Sequence, residues 1–257
     1  MFYELKTVLS TLFLILASYQ DLKTREIDDK IWFLMGASGI IINAVQFFIY
    51  REIDLLIVSI STILTVFFAL TLYYSGLFGG ADSKALISLL AMYPFTPRKL
   101  LYNRVATPFF PLDVFMNSLV ISLFIPIAFF FYNTHLLIKG EKIFEGINAN
   151  VLQKILALFL GKATKISNAL NQNYIALMED IYFKDNKLNR KLKFMFNISV
   201  FEENNTSLLN LLYEKHDVEW VWITPGLPFI VSILFGFLLT ISLGNIIYIF
   251  ISKHIAL

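Results

Sequence analysis

The chain is built from long apolar stretches joined by short polar segments. Thr7–Gln20, Ile31–Tyr50, Leu55–Phe78, Leu112–Tyr132 and Leu227–Ile251 are each almost free of charge. A helix crosses the hydrocarbon core of a bilayer with about 20 predominantly apolar residues. Only helices and closed barrels satisfy their own backbone hydrogen bonds there, so each stretch reads as a membrane helix. A sixth stretch, Ala85–Phe95, is shorter and closes at Pro94, so it is expected to reach only part way across. Pro126 is expected to kink the stretch that contains it. Apolar residues make up 57% of the 257 residues and charged ones 16%, against about 45–50% and about 25% in soluble domains. That balance excludes a water-soluble globule and equally excludes a disordered chain. The expected fold is an all-α polytopic membrane protein of about six transmembrane helices, with a small mixed α/β water-facing insert before the last helix.

The insert is marked by its charge. Eleven of the 21 Lys and Arg residues, and ten of the 19 acids, fall between Asn133 and Trp222. The expected division is a membrane domain over 1–132, a polar soluble insert over 133–222, and a final transmembrane helix with its tail over 223–257. Within the insert, Ile147, Val151, Ile155, Leu156 and Phe159 recur at helical spacing, which suits a helix lying on a partner or on the membrane surface. Lys191–Phe201 alternates as a strand does. Near the spans, basic residues divide almost evenly between the two faces, so they do not set orientation.

Several chemistries are excluded. A net charge of +2 gives no electrostatic case for nucleic acid. There is no cysteine, hence no disulfide, thiol nucleophile or thiolate metal site. The three histidines, His135, His216 and His254, stand outside the spans and form no HExxH pair, so no metal site is expected. Ser75, in Tyr74-Ser75-Gly76, lacks a base and reads as helix packing.

Carboxylates remain. Asp21 follows the first span, and Asp82 follows the third, in Gly79-Gly80-Ala81-Asp82-Ser83-Lys84. Two crossings separate them, so both end on one membrane face. Two carboxylates in a half-dry site cannot both ionise cheaply; one keeps a proton while the other is charged. The charged member can take a proton from water and the neutral one can donate to a carbonyl. Gly79 and Gly80 allow close backbone approach to a substrate strand. The plainer reading is that acids at helix ends are caps, with Asp82 as the N-cap of the next helix. Asp28 and Asp29 share the face of the pair and are expected to start the second helix, whereas Asp54 and Asp113 are expected on the opposite face.

These residues resemble a known family. Asp21-Leu22-Lys23-Thr24-Arg25-Glu26-Ile27 is similar to the first aspartate motif of type IV prepilin peptidases, and Gly79-Gly80-Ala81-Asp82-Ser83-Lys84 to their GxGD motif. Thr107-Pro108-Phe109-Phe110-Pro111 and Trp222-Ile223-Thr224-Pro225 resemble later segments of the archaeal preflagellin (pre-archaellin) peptidases. Ala81 stands where the motif has its second glycine, and Asp28 where bacterial members usually have proline, which is the archaeal variant. The resemblance implies an aspartyl endopeptidase with Asp21 and Asp82 as catalytic residues, supported by Arg25, Gly79, Gly80, Ala81 and Lys84. It implies removal of a short, positively charged leader from archaellin or type IV pilin-like precursors on the cytoplasmic side of the cell membrane, without a metal or organic cofactor. The cysteine-rich domain that bacterial members often carry is missing from the sequence, so methyl transfer to the new N-terminus is not expected. The alternatives are a small proton- or cation-coupled transporter using Asp21 and Asp82 as a relay, an intramembrane protease of the presenilin type, and a membrane scaffold. Peptidase activity is expected to survive chelators and thiol reagents in membranes incubated with a leader-bearing precursor. Loss in a chelator, restored by zinc, would overturn the aspartyl reading.

Overall fold

A computed structural model describes residues 2–50, 55–76, 78–97, 106–172, 174–184, 187–194, 209–210, 212–213 and 218–255. The chain forms two compact units, Met1–Ser122 with Pro228–Leu257, and Leu123–Leu227.

The first unit is a helix bundle. Its helices are α1 (Phe2–Thr24), α2 (Asp29–Tyr50), α3 (Leu55–Tyr74), α4 (Gly80–Met92), α5 (Phe110–Ser122), α9 (Phe229–Leu243) and α10 (Ile246–Ile255). The local chemistry explains the boundaries. Glu4 opens α1 and Lys23 closes it, as the helix dipole favours. The Lys30 N–H donates to Asp28 Oδ1, so Asp28 caps α2, and Asp29 is its first residue. Tyr93 and then Pro94 end α4.

Close helix contact in this unit relies on small residues, as is usual where lipid removes the hydrophobic drive between helices. A Cβ on Gly39 of α2 would sit 2.6 Å from the Ala91 carbonyl oxygen of α4. One on Gly236 of α9 would collide with Ser118 Oγ and with the backbone of α5. Interhelical hydrogen bonds add to this packing. Ser83 donates to the Ala69 carbonyl of α3 at 2.9 Å, Ser88 to the Trp32 carbonyl of α2 at 3.1 Å, and Asn43 to the Ala91 carbonyl at 2.7 Å. α4 is thus held along its length by α2 and α3. The apolar core joins Leu14, Ala17, Met35, Leu89, Met92, Phe110 and Phe237.

The second unit contains α6 (Phe124–Ile138), β1 (Ile147–Asn148), α7 (Val151–Leu160), β2 (Lys162–Lys165), α8 (Ile166–Leu170), β3 (Ile175–Leu177), β4 (Glu179–Lys184), β5 (Lys187–Leu192) and β6 (Trp220–Pro225). β6 is the centre of one sheet, paired antiparallel with β2 and β3; β5 lies between β1 and β4 in the other. A buried ion pair ties the strands together. Arg190 donates to Glu179 through Nε at 2.7 Å and Nη2 at 2.9 Å, and Glu179 Oε1 also accepts the Trp222 N–H.

Some expectations shift. Among the described residues, four helical runs are long and apolar enough to span a membrane: Phe2–Thr24, Asp29–Tyr50, Leu55–Tyr74 and Phe110–Ile138. Counting α9 with α10, bent by 46° at Gly244 and Asn245, makes up to five. At 13 residues α4 is too short to cross. The helix ladder breaks at Leu123, one turn before Pro126, whose missing N–H leaves the Ser122 carbonyl without its helical partner. The amphipathic helix starts at Val151 rather than Ile147, because Asn150 and Gln153 form a capping box and Ile147 pairs in β1 instead. Of the strand expected over Lys191–Phe201, only Lys191 and Leu192 lie in a strand, as the end of β5 (Lys187–Leu192); Lys193 and Phe194 lie in none, and the part beyond Phe194 is outside the described residues, as are Asp54 and His216.

Gly39→Leu is expected to force α2 and α4 apart. Overpacking of this kind costs about 1–3 kcal/mol, read as a lower unfolding temperature of the detergent-solubilised protein; an unchanged transition would contradict the tight contact.

Candidate active site

Both aspartates fall in the helix bundle, and both are buried, at 9% exposure for Asp21 and 8% for Asp82. Asp21 lies inside the last turn of α1 rather than after it. Asp82 is not the N-cap of α4. Gly79 is, and Asp82 occupies the third helical position, its Oδ2 accepting the Gly79 N–H at 2.8 Å.

The two carboxylates stand in one neighbourhood of the bundle, where charge on Asp21 opposes charge on Asp82. What makes this tolerable is where each one points. The backbone N–H of Ile230, at the second position of α9, faces the Asp21 carboxylate, and the Arg25 guanidinium attracts it. Helix N-termini carry unpaired N–H groups and the positive end of the dipole, so they favour anions. Asp82 sits at such a terminus within its own helix, and Asp21 at that of α9. A ring contact sets these two helix starts together. Phe78, just before Gly79, packs edge-on against Phe229, the first residue of α9, with centroids 4.8 Å apart.

The other motif residues have distinct placements. Arg25 ends α1 with φ +58°, a left-handed turn uncommon for a residue with a side chain. Its N–H donates to the Asp21 carbonyl at 3.2 Å, and its Nη1 is buried without a hydrogen-bond partner. Lys84 pairs with Asp29, linking the start of α4 to the start of α2. Ala81 packs against the core, and a Cβ on Gly80 would meet the Tyr73 ring at 3.4 Å. A cleft of about 510 Å³ beside the α1–α2 turn is lined by Tyr19, Gln20, Lys23, Thr24, Glu26, Ile27 and Asp28, and includes neither aspartate. No cluster of three or more His, Cys, Asp or Glu side chains able to hold a metal occurs among the described residues.

Asp113 is elsewhere. It accepts from the Thr107 N–H, the Thr107 hydroxyl and the Asn245 amide, the last at 2.6 Å. Asn245 follows the end of α9 and Ile230 lies near its start, so about 22 Å of helix separates Asp113 from the neighbourhood of Asp21.

A model of the type IV leader peptidase family matches residues 8–131, and one of the archaeal peptidase A24 C-terminus, type II, matches residues 153–246. The preflagellin peptidase of Methanocaldococcus jannaschii is 30% identical over 247 residues, which is 93% of this chain and 94% of that protein. The chain belongs to the type IV leader peptidase family. The preflagellin peptidase of Methanococcus voltae is 29% identical over 238 residues, covering 90% of this chain and 92% of the relative. That of Methanococcus maripaludis is 27% identical over 245 residues, covering 93% and 94%. The protein is therefore a multi-pass membrane endopeptidase of the aspartic type that removes leader peptides from precursor proteins. The comparisons lend no support to the transporter reading.

The amide of Ile230 and the Phe78–Phe229 contact were not among the residues singled out from the sequence. The available signal was Pro225-Gly226-Leu227-Pro228, a turn directly before an apolar run, which marks a helix start without saying what it faces. Asp113, expected from the sequence on the face opposite the pair, is a buried acceptor with three donors. Asp113→Asn turns an NH2 group toward those donors, and leaving buried groups unsatisfied costs about 1–3 kcal/mol. A lowered unfolding temperature of the peptidase is expected; an unchanged one would show that the carboxylate is not needed there.

Proposed function

We propose that Asp21 and Asp82 are the catalytic pair of this peptidase, cutting the leader from archaellin or type IV pilin-like precursors at the cytoplasmic face. The observation that supports the pair most strongly is that both carboxylates are buried in one bundle where the starts of α4 and α9 are joined by the Phe78–Phe229 contact, with Asp82 accepting the Gly79 N–H. Asp21 has a cation, Arg25, beside it, whereas Asp82 accepts a neutral donor, the Gly79 amide. That difference favours charge on Asp21 and the proton on Asp82. Water then attacks the scissile carbonyl carbon and loses its proton to Asp21, while Asp82 gives its proton to the carbonyl oxygen. Collapse breaks the C–N bond: the departing amine takes the proton from Asp21, and one hydroxyl of the diol returns its proton to Asp82 as the new carboxyl forms.

The supporting residues have positioning roles in this scheme. Arg25 holds the charge on Asp21. Gly79 supplies the amide to Asp82, and Gly80 and Ala81 keep the entry to α4 slender. Lys84, through Asp29, ties the segment after Asp21 to α4. The preflagellin peptidase relatives make an archaellin precursor the substrate of choice. Leaders of such precursors stand on the cytoplasmic side ahead of an apolar helix, which favours that face for the site.

Asp21→Asn and Asp82→Asn are each expected to lower precursor cleavage at least about 100-fold, the low end for a positioned acid or base, with the protein still inserted in the membrane. Asp28→Asn, at an exposed cap, is the control and should stay active. Near-normal cleavage by either of the first two variants would end the assignment.

A further inference from the structure

α7 has one face without a partner among the described residues. Val151, Leu152, Ile155 and Leu156 are 75%, 65%, 47% and 39% exposed and form one stripe at helical spacing. The opposite face is packed: Ala157 is fully buried with Ile143 and Trp222 in the core of its unit. A contiguous exposed stripe of four large aliphatic side chains is uncommon on a surface that meets only water.

The surroundings name the occupant. α7 is fixed to α6, which belongs to the candidate span Phe110–Ile138. Phe159 stacks on Phe130 of α6 with centroids 4.5 Å apart. Asn133 of α6 donates to the carbonyls of Leu158 at 3.0 Å and Gly161 at 2.8 Å, and accepts the Ala163 N–H at 3.0 Å. The apolar stripe of α7 therefore continues an apolar surface of a membrane helix that is itself exposed at Phe131, Leu137 and Ile138. The depth is marked as well. The Lys162 ammonium, just beyond α7, lies 5.0 Å from the Tyr132 ring centre on α6, and Tyr and Lys gather where hydrocarbon meets headgroups. Lys154 on α7 lies over the Phe144 ring, so with Lys162 two cations accompany the helix, a charge suited to anionic headgroups.

We propose that α7 is an interfacial helix, lying in the membrane plane with Val151, Leu152, Ile155 and Leu156 inserted among lipid acyl chains. At ten residues it is too short to span, so it anchors the sheet-bearing unit to the surface rather than crossing it. This does not depend on the catalytic assignment.

The test uses the full chain in vesicles of phosphatidylcholine and phosphatidylglycerol. The sequence has no cysteine, so Leu152→Cys, Ile155→Cys and, as an exposed reference on α8, Asn168→Cys each carry a single environment-sensitive fluorophore. Cleavage of a leader-bearing precursor reports that each labelled protein is folded. The labels at 152 and 155 are expected to be quenched by brominated acyl chains, at a depth of about 5–10 Å into the headgroup boundary. Their quenching by iodide is expected to be several-fold weaker than that of the label at 168. Iodide quenching equal to that at 168 would overturn the proposal. Protection from both quenchers would overturn it too, since a second copy or the precursor would then be covering the stripe. Val151→Cys repeats the measurement if either labelled variant fails to fold.

Discussion

The constraint on which the helix bundle depends is the burial of two carboxylates among apolar helices. An isolated charge in such a setting is costly, and a second one beside it adds repulsion. The chain meets this cost mainly with backbone. α4 and α9 both begin at the site, so their unpaired N–H groups face Asp82 and Asp21. Arg25 supplies a cation beside Asp21. Helix starts do not titrate and do not need long side chains to be ordered.

Keeping two helix starts together requires that the bundle be stiff around them. Phe78 and Phe229 join the starts directly, and Phe115 packs against both. Behind them, Ser83 and Ser88 bind α4 to α3 and α2, and Gly39 brings α2 against the end of α4. Away from the site, Asp113 and Asn117 hold the break after α9. Asn117 bonds the Gly244 carbonyl and accepts the Ile246 N–H, while Asn245 bonds Asp113. The start of α9, which faces Asp21, and its end are thus both fastened to the bundle.

What could be read from the sequence was whatever has a period or a fixed spacing. The long apolar runs announced the spans, and two crossings between Asp21 and Asp82 placed both on one face before any coordinates. Pro94 marked the end of α4. Long-range partners were not legible in the same way. No spacing rule connects Asp21 with the Ile230 amide, since more than two hundred residues separate them. The capping role of Asp82 was read one turn wrong, because Gly79 takes the cap and a carboxylate at the third position can reach back to it. The amphipathic run in the insert overran its helix by one turn, as Ile147 fits the helical period but pairs in a strand. The donors that surround Asp113 and Glu179 likewise had no signal in the sequence, since Asn245 and Trp222 lie far along the chain from them.

The central claim is that Asp21 and Asp82 work as one site. The most direct measurement is cross-linking in the doubly substituted chain Asp21→Cys/Asp82→Cys, which contains no other cysteine. A short bifunctional thiol reagent is applied to membranes, and the product is read by mass spectrometry. The expected result is an intramolecular link between the two positions. Single adducts at both cysteines, with no link between them, would contradict a shared site.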